Sequence, residues 1–70
     1  MATWVKFHQD GKAIVLNLDN VIAFQLMRKN DISYIQLVTA SHFLMVGQKQ
    51  DPDAHQKILN YIRSTGYTLP

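Results

Sequence analysis

Seventy residues, no cysteine, a formal net charge of +2 and only 17% charged residues set the first limits on this chain. They exclude a disulfide framework and cysteine-ligated zinc, and they fall short of the dense positive charge that by itself argues for nucleic acid. With 47% hydrophobic residues the chain is too apolar to be disordered, and its length suits one domain of residues 1–70, near the size at which a single core is marginal and partners help.

The opening Met1-Ala2-Thr3-Trp4 has no charged region followed by an apolar run, so no signal peptide is expected. No apolar stretch approaches the roughly 20 residues that a membrane helix needs. The expectation is a small soluble domain of bacterial type, cytoplasmic and without a membrane partner.

In chain order, a first strand is predicted at about 3–8, where Val5 and Phe7 alternate with Trp4, Lys6 and His8. Asp10-Gly11 is a hairpin turn signal, because both central residues must reach positive φ. A second strand follows at about 12–18, with Ile14, Leu16 and Leu18 on one face. Asp19-Asn20 forms a hinge, since these side chains bond their own backbone and tolerate left-handed conformations. A third strand is predicted at about 21–28, with Ile22, Phe24 and Leu26 on one face. The stretch 13–27, two alternating runs about that hinge, reads as the centre of an antiparallel sheet.

Lys29-Asn30-Asp31 reads as a polar turn before a fourth strand at about 32–39, and Ala40-Ser41 leads to a fifth at about 42–46. That fifth strand is apolar on both sides, so Phe43 and Met45 compete with Leu44 and Val46 for the core. Asp51-Pro52-Asp53 announces a helix over about 52–65, with Asp51 as the N-cap and Pro52 in the first turn. Ala54, Ile58, Tyr61 and Ile62 form one apolar stripe, Leu59 lies at its margin, and Gly66 suits the C′ position. Short connections favour pairing of sequential neighbours. The fold class expected is α+β: a five-stranded antiparallel meander, strongly twisted or barrel-like, with one C-terminal helix on one face. Its expected core is Val5, Phe7, Ile14, Leu16, Leu18, Ile22, Phe24, Leu26, Ile35, Leu37, Ile58 and Ile62.

Catalytic signals are missing. All five acids are Asp, each in a turn or at the helix start, where Asp serves local backbone bonding, and none is spaced as an acid/base pair. His8, His42 and His55 match no metal-ligand spacing and read as surface or strand-edge residues. Ser33, Ser41 and Ser64 lack nucleophile-elbow glycines, and no glycine-rich phosphate loop exists. The reading is a protein that is not an enzyme, with no catalytic residues, no cofactor and no metal.

The segment Val15-Leu16-Asn17, then an apolar strand at 21–26, a turn, two further strands and a capped helix resembles the small flagellar FlbD-type proteins, chains of similar length. The chain departs from that pattern at Ala40-Ser41-His42, where the family has a Gly-Lys turn, and at Gln50-Asp51-Pro52, where it has Glu-Ser. The resemblance implies the fold. It carries over neither a flagellar role nor any functional residue.

The favoured function is an interaction or assembly module, a protein-binding or regulatory adaptor that self-associates, with a dimer preferred. One helix of about 10–12 Å cannot cover both faces of a five-stranded sheet. The face opposite the core carries Trp4, Val15, Val21, Ala23, Met27, Tyr34 and Val38, with Leu44 and Val46 open to assignment and Asn17, Gln25 and Gln36 interspersed. Of these, Trp4, Val15, Val21, Met27, Tyr34 and Val38 are the candidate self-association face. The alternative is a nucleic-acid-binding regulator, with Lys6, Lys12, Arg28, Lys29 and Lys49 on phosphates and Trp4 and Tyr34 stacking on bases. A small-molecule pocket ranks last and no small-molecule substrate is expected, because so small a domain hardly encloses the roughly 300 Å³ that ligands usually need.

Overall fold

Two left-handed turns set the hairpins of this chain. The computed structural model describes residues 3–67. Strands β1 (Trp4–Gln9) and β2 (Lys12–Asn17) are joined at Asp10 and Gly11, whose φ values of 52° and 75° are those of a type I′ turn. Val5 faces Leu16 and Phe7 faces Ile14 on the inner side, while Lys6 faces Val15 outside. The Leu18 N–H donates to Thr3 O at 2.8 Å, one step beyond the ladder. The chain then enters a single 3₁₀ turn, Leu18–Asn20, which Asn17 caps by accepting the Asp19 N–H at 3.0 Å.

The 3₁₀ turn is more than a hinge. It buries Leu18 and directs the chain away from β2, so β2 and the next strand do not pair. The expected single meander is therefore two antiparallel sheets. The second contains β3 (Ala23–Lys29), β4 (Ile32–Val38) and β5 (Phe43–Gly47) in that order. Asn30 and Asp31, at φ 52° and 62°, make its first turn. In the second turn, Thr39 N–H donates to His42 O (3.0 Å) and His42 N–H donates to Thr39 Oγ1 (3.1 Å).

That turn decides the face of β5. It sets Val38 opposite Phe43, so Leu44 meets Leu37 and Val46 meets Ile35 on the inner face. Phe43 and Met45 point outward. The core side of β5 is Leu44 and Val46, which removes both from the outer face. Gly47 lies opposite Tyr34, and a Cβ at Gly47 would sit 3.1 Å from the Tyr34 ring. The ring thus covers the glycine as an outer-face packing pair.

Helix α1 (Pro52–Ser64) contributes Ala54, Ile58 and Ile62 to a core completed by Val5, Phe7, Leu18, Ile35, Leu37 and Val46. Gly66, at φ 92°, follows the C-cap Thr65. The helix packs chiefly on β1 and β5. These two strands lie side by side without a backbone ladder, and the Gln9 side chain bridges them, its Oε1 accepting the Met45 N–H at 2.8 Å. The sheets do not close into a barrel, because β2 and β3 remain at the edges.

Five residues of the expected core are not fully buried: Ile14 and Leu16 of β2 are half-buried, and the other three share one reason. With the helix centred over β1 and β5, the inner face of β3 runs out beyond its cover. Ile22 is 71% exposed, Leu26 is 46% exposed, and Phe24 is half-buried against Tyr61, with ring centroids 6.0 Å apart. Two polar expectations also change. Asp51 occupies the N-cap position but makes no side-chain cap bond; its carboxylate turns to His8, accepting the backbone N–H at 3.2 Å and lying 3.1 Å from Nδ1. His55, read as a surface residue, is buried on the helix at 4% exposure.

Candidate interaction surface

An alternating strand with one buried face normally hides every second residue. β3 does not: six of its seven residues are exposed and only Phe24 is half-buried. The exposed set includes Ala23, Leu26 and Met27, so the least covered strand of the sheet has an apolar middle, with Arg28 and Lys29 only at its C-terminal end. Among the described residues its outer backbone edge has no partner strand. No proline or central charge blunts that edge, as proteins usually arrange for an exposed one.

Beside the edge, on the inner side, lies an open groove of about 400 Å³ lined by Ile22, Phe24, Leu26, Tyr61, Ile62 and Tyr67. Tyr61 is held by its hydroxyl, which donates to Asp19 Oδ1 at 2.6 Å and ties the helix to the 3₁₀ turn. That bond to a carboxylate raises the Tyr61 phenol above its ordinary range, and desolvation adds to it. The bond to His8 lowers the Asp51 carboxyl below its ordinary range. Asp19 and Asp51 are thus used for contacts between distant segments rather than for local turns alone.

The six residues of the candidate self-association face are divided between the two sheets and the segment that joins them. Met27, Tyr34 and Val38 share the outer face of the three-stranded sheet, joined there by Phe43, 71% exposed, and by Met45. Trp4 and Val15 lie on the outer face of the separate hairpin, both exposed. Val21 is half-buried and packs against the core. Among the basic candidates, Arg28, Lys29 and Lys49 gather where β3 ends, β4 begins and β5 has just ended, while Lys6 and Lys12 belong to the hairpin. Tyr34, the candidate base-stacking ring, is half-buried and lies over Gly47.

A second groove, open and about 610 Å³ in volume, has Ile14, Leu16 and Leu44 along it and Ser41 and His42 at its rim. It is an open groove and not an enclosed cavity of the kind that small ligands usually need. Ser41 Oγ lies 2.7 Å from His42 Nδ1. The two are adjacent in an exposed turn, and among the described residues no carboxylate bonds the other ring nitrogen, the third part that a nucleophilic triad uses. His55 lines a shallow groove of about 150 Å³ with Ser33, Leu59 and Arg63, and burial lowers its imidazole below the ordinary histidine range. Among the described residues, no three His, Cys, Asp or Glu side chains gather as metal ligands, and no helix is long and apolar enough to cross a membrane.

Sequence reasoning placed Ile22 and Leu26 in the core and left the side of Phe43 and Met45 open. Counting pairs outward from the 39–42 turn would have found Phe43 and Met45. Nothing in the local pattern of β3 reveals that the helix lies elsewhere. No protein-family model matches this chain, and no curated protein or solved structure shows significant similarity to it.

Proposed function

We propose that this chain is a non-enzymatic assembly module that associates with copies of itself through an apolar surface. The observation that supports this reading is β3, apolar in its middle yet exposed at six of seven positions. Soluble monomers rarely leave such a strand and an adjoining apolar groove uncovered, and a symmetric dimer is the commonest way to cover both. The small chain gains as well, since a domain of this size buries a modest core by itself. No cofactor, metal or small-molecule substrate enters the proposal.

The nucleic-acid reading rests on Arg28, Lys29 and Lys49 at one end of the sheet. It is weakened by the separation of Lys6 and Lys12 and by the packing of Tyr34 on Gly47. Sedimentation of the full chain from about 10 µM to about 1 mM tests self-association across the micromolar-to-millimolar affinity range. The expected result is a mass rising with concentration from 8.0 kDa towards twice that value. A constant 8.0 kDa together with a salt-sensitive shift of a random oligonucleotide would favour the nucleic-acid reading instead.

A further inference from the structure

We infer that the partner at the β3 edge is a second copy of this chain, its β3 paired antiparallel to the first about a two-fold axis at Gln25, so that two three-stranded sheets become one of six strands. The inference rests on the assembly reading above and names its interface.

The edge itself specifies a strand as occupant. β3 offers a row of backbone donors and acceptors along an apolar groove, and only another extended backbone satisfies such a row in register. Ala23-Phe24-Gln25-Leu26-Met27 is moreover palindromic in character, with two apolar residues on each side of one amide. Antiparallel pairing about Gln25 sets each Gln25 amide beside its copy, where two carboxamides can exchange hydrogen bonds. Phe24 then faces the partner's Leu26 on the inner side, and Ala23 faces the partner's Met27 outside.

Charge selects the same arrangement. Arg28 and Lys29 are the cations of β3, and the strand has no acid. A parallel in-register pairing would set each beside its own copy at about 5 Å. Antiparallel pairing about Gln25 places the two Arg28 residues six steps apart, roughly 20 Å, with each Arg28 across from Ile22. Like-charge repulsion is thereby reduced to the scale of ordinary screening.

A seven-residue edge, roughly 24 Å long and 10 Å thick, is well under the roughly 800 Å² per partner of a standard interface, and the groove beside it extends the apolar surface. Both helices of the dimer lie on the same side of the joined sheet, and Ile22, Phe24, Leu26, Tyr61 and Tyr67 of the two copies close over one another. The other free edge, β2, differs in cover: its inner residues Ile14 and Leu16 are half-buried, whereas Ile22 and Leu26 beside the β3 edge are exposed.

The absence of cysteine makes the test clean. Directly opposed residues of antiparallel strands have Cα atoms about 4.5–5.5 Å apart, inside the range that a disulfide spans. Three single variants of the full chain, Gln25→Cys, Ala23→Cys and Met27→Cys, are oxidised under mild conditions and run without reductant. The expected result is a covalent dimer from Gln25→Cys alone. Ala23→Cys and Met27→Cys should stay uncoupled singly and join when mixed, and Leu26→Lys should return the sedimenting mass to 8.0 kDa. Self-association that yields no such pattern and is abolished by Phe43→Lys on the outer face overturns the β3 interface while leaving the assembly reading in place. A chain that remains at 8.0 kDa throughout, with no register-dependent coupling, overturns both.

Discussion

His55 is the side chain whose environment departs furthest from what its position in the sequence implies. It follows Ala54 on the buried side of α1, and its ring has little exposed surface. Burial penalises the imidazolium, so the folded-state pKa lies below the unfolded value near 6.5. The unfolded chain therefore binds the proton first as pH falls. His55 leaves stability unaffected well above pH 6.5 and lowers it progressively as pH drops from the unfolded value towards the depressed folded one. Urea unfolding at a series of pH values should show this loss in the wild type and less of it in His55→Leu. The informative quantity is the difference between the two curves, since every other ionisable group is common to both. Parallel curves across that window would contradict the assignment.

At the scale of elements, the strands divide by how the helix covers them. Leu37 in the central strand is fully buried, whereas Phe24 in the edge strand is half-buried and leans on Tyr61. Leu37→Ala should cost about 2–5 kcal/mol through lost burial and the cavity left behind. Phe24→Ala should cost less, about 1–3 kcal/mol, because part of its ring is already in water. Chemical denaturation of both variants below the association threshold checks the order, and a larger loss at Phe24 would contradict the helix placement. Local chemistry made the strands, the Asp10-Gly11 turn and the helix legible, because alternation, left-handed turn residues and Pro52 each act within a few residues. The split into two sheets was not legible, since Asp19-Asn20 reads equally as a tight hairpin or as a 3₁₀ turn. The exposure of Ile22 and Leu26 was not legible either. It follows from where the helix lands, and the 3.6-residue stripe of Ala54, Ile58 and Ile62 states only that it lands somewhere apolar. The candidate surface was legible in composition but not in arrangement: Met27, Tyr34 and Val38 stand on the outer face of the three-stranded sheet, while Trp4 and Val15 stand on that of the hairpin.

For the whole molecule, the geometry of coverage decides. One helix joins two small sheets at β1 and β5, and the strand farthest from that junction, β3, is left with an apolar middle and an open edge. This edge is where copies of the chain are proposed to assemble. Amide hydrogen exchange of β3, followed at about 10 µM and about 1 mM protein, tests it most directly, because pairing adds hydrogen bonds and protection only at the amides it covers. Amides of β3 are expected to exchange more slowly at the higher concentration, while those of β2, the other free edge, are unchanged. Protection of β3 that does not vary with concentration, or that rises at β2 instead, would contradict it.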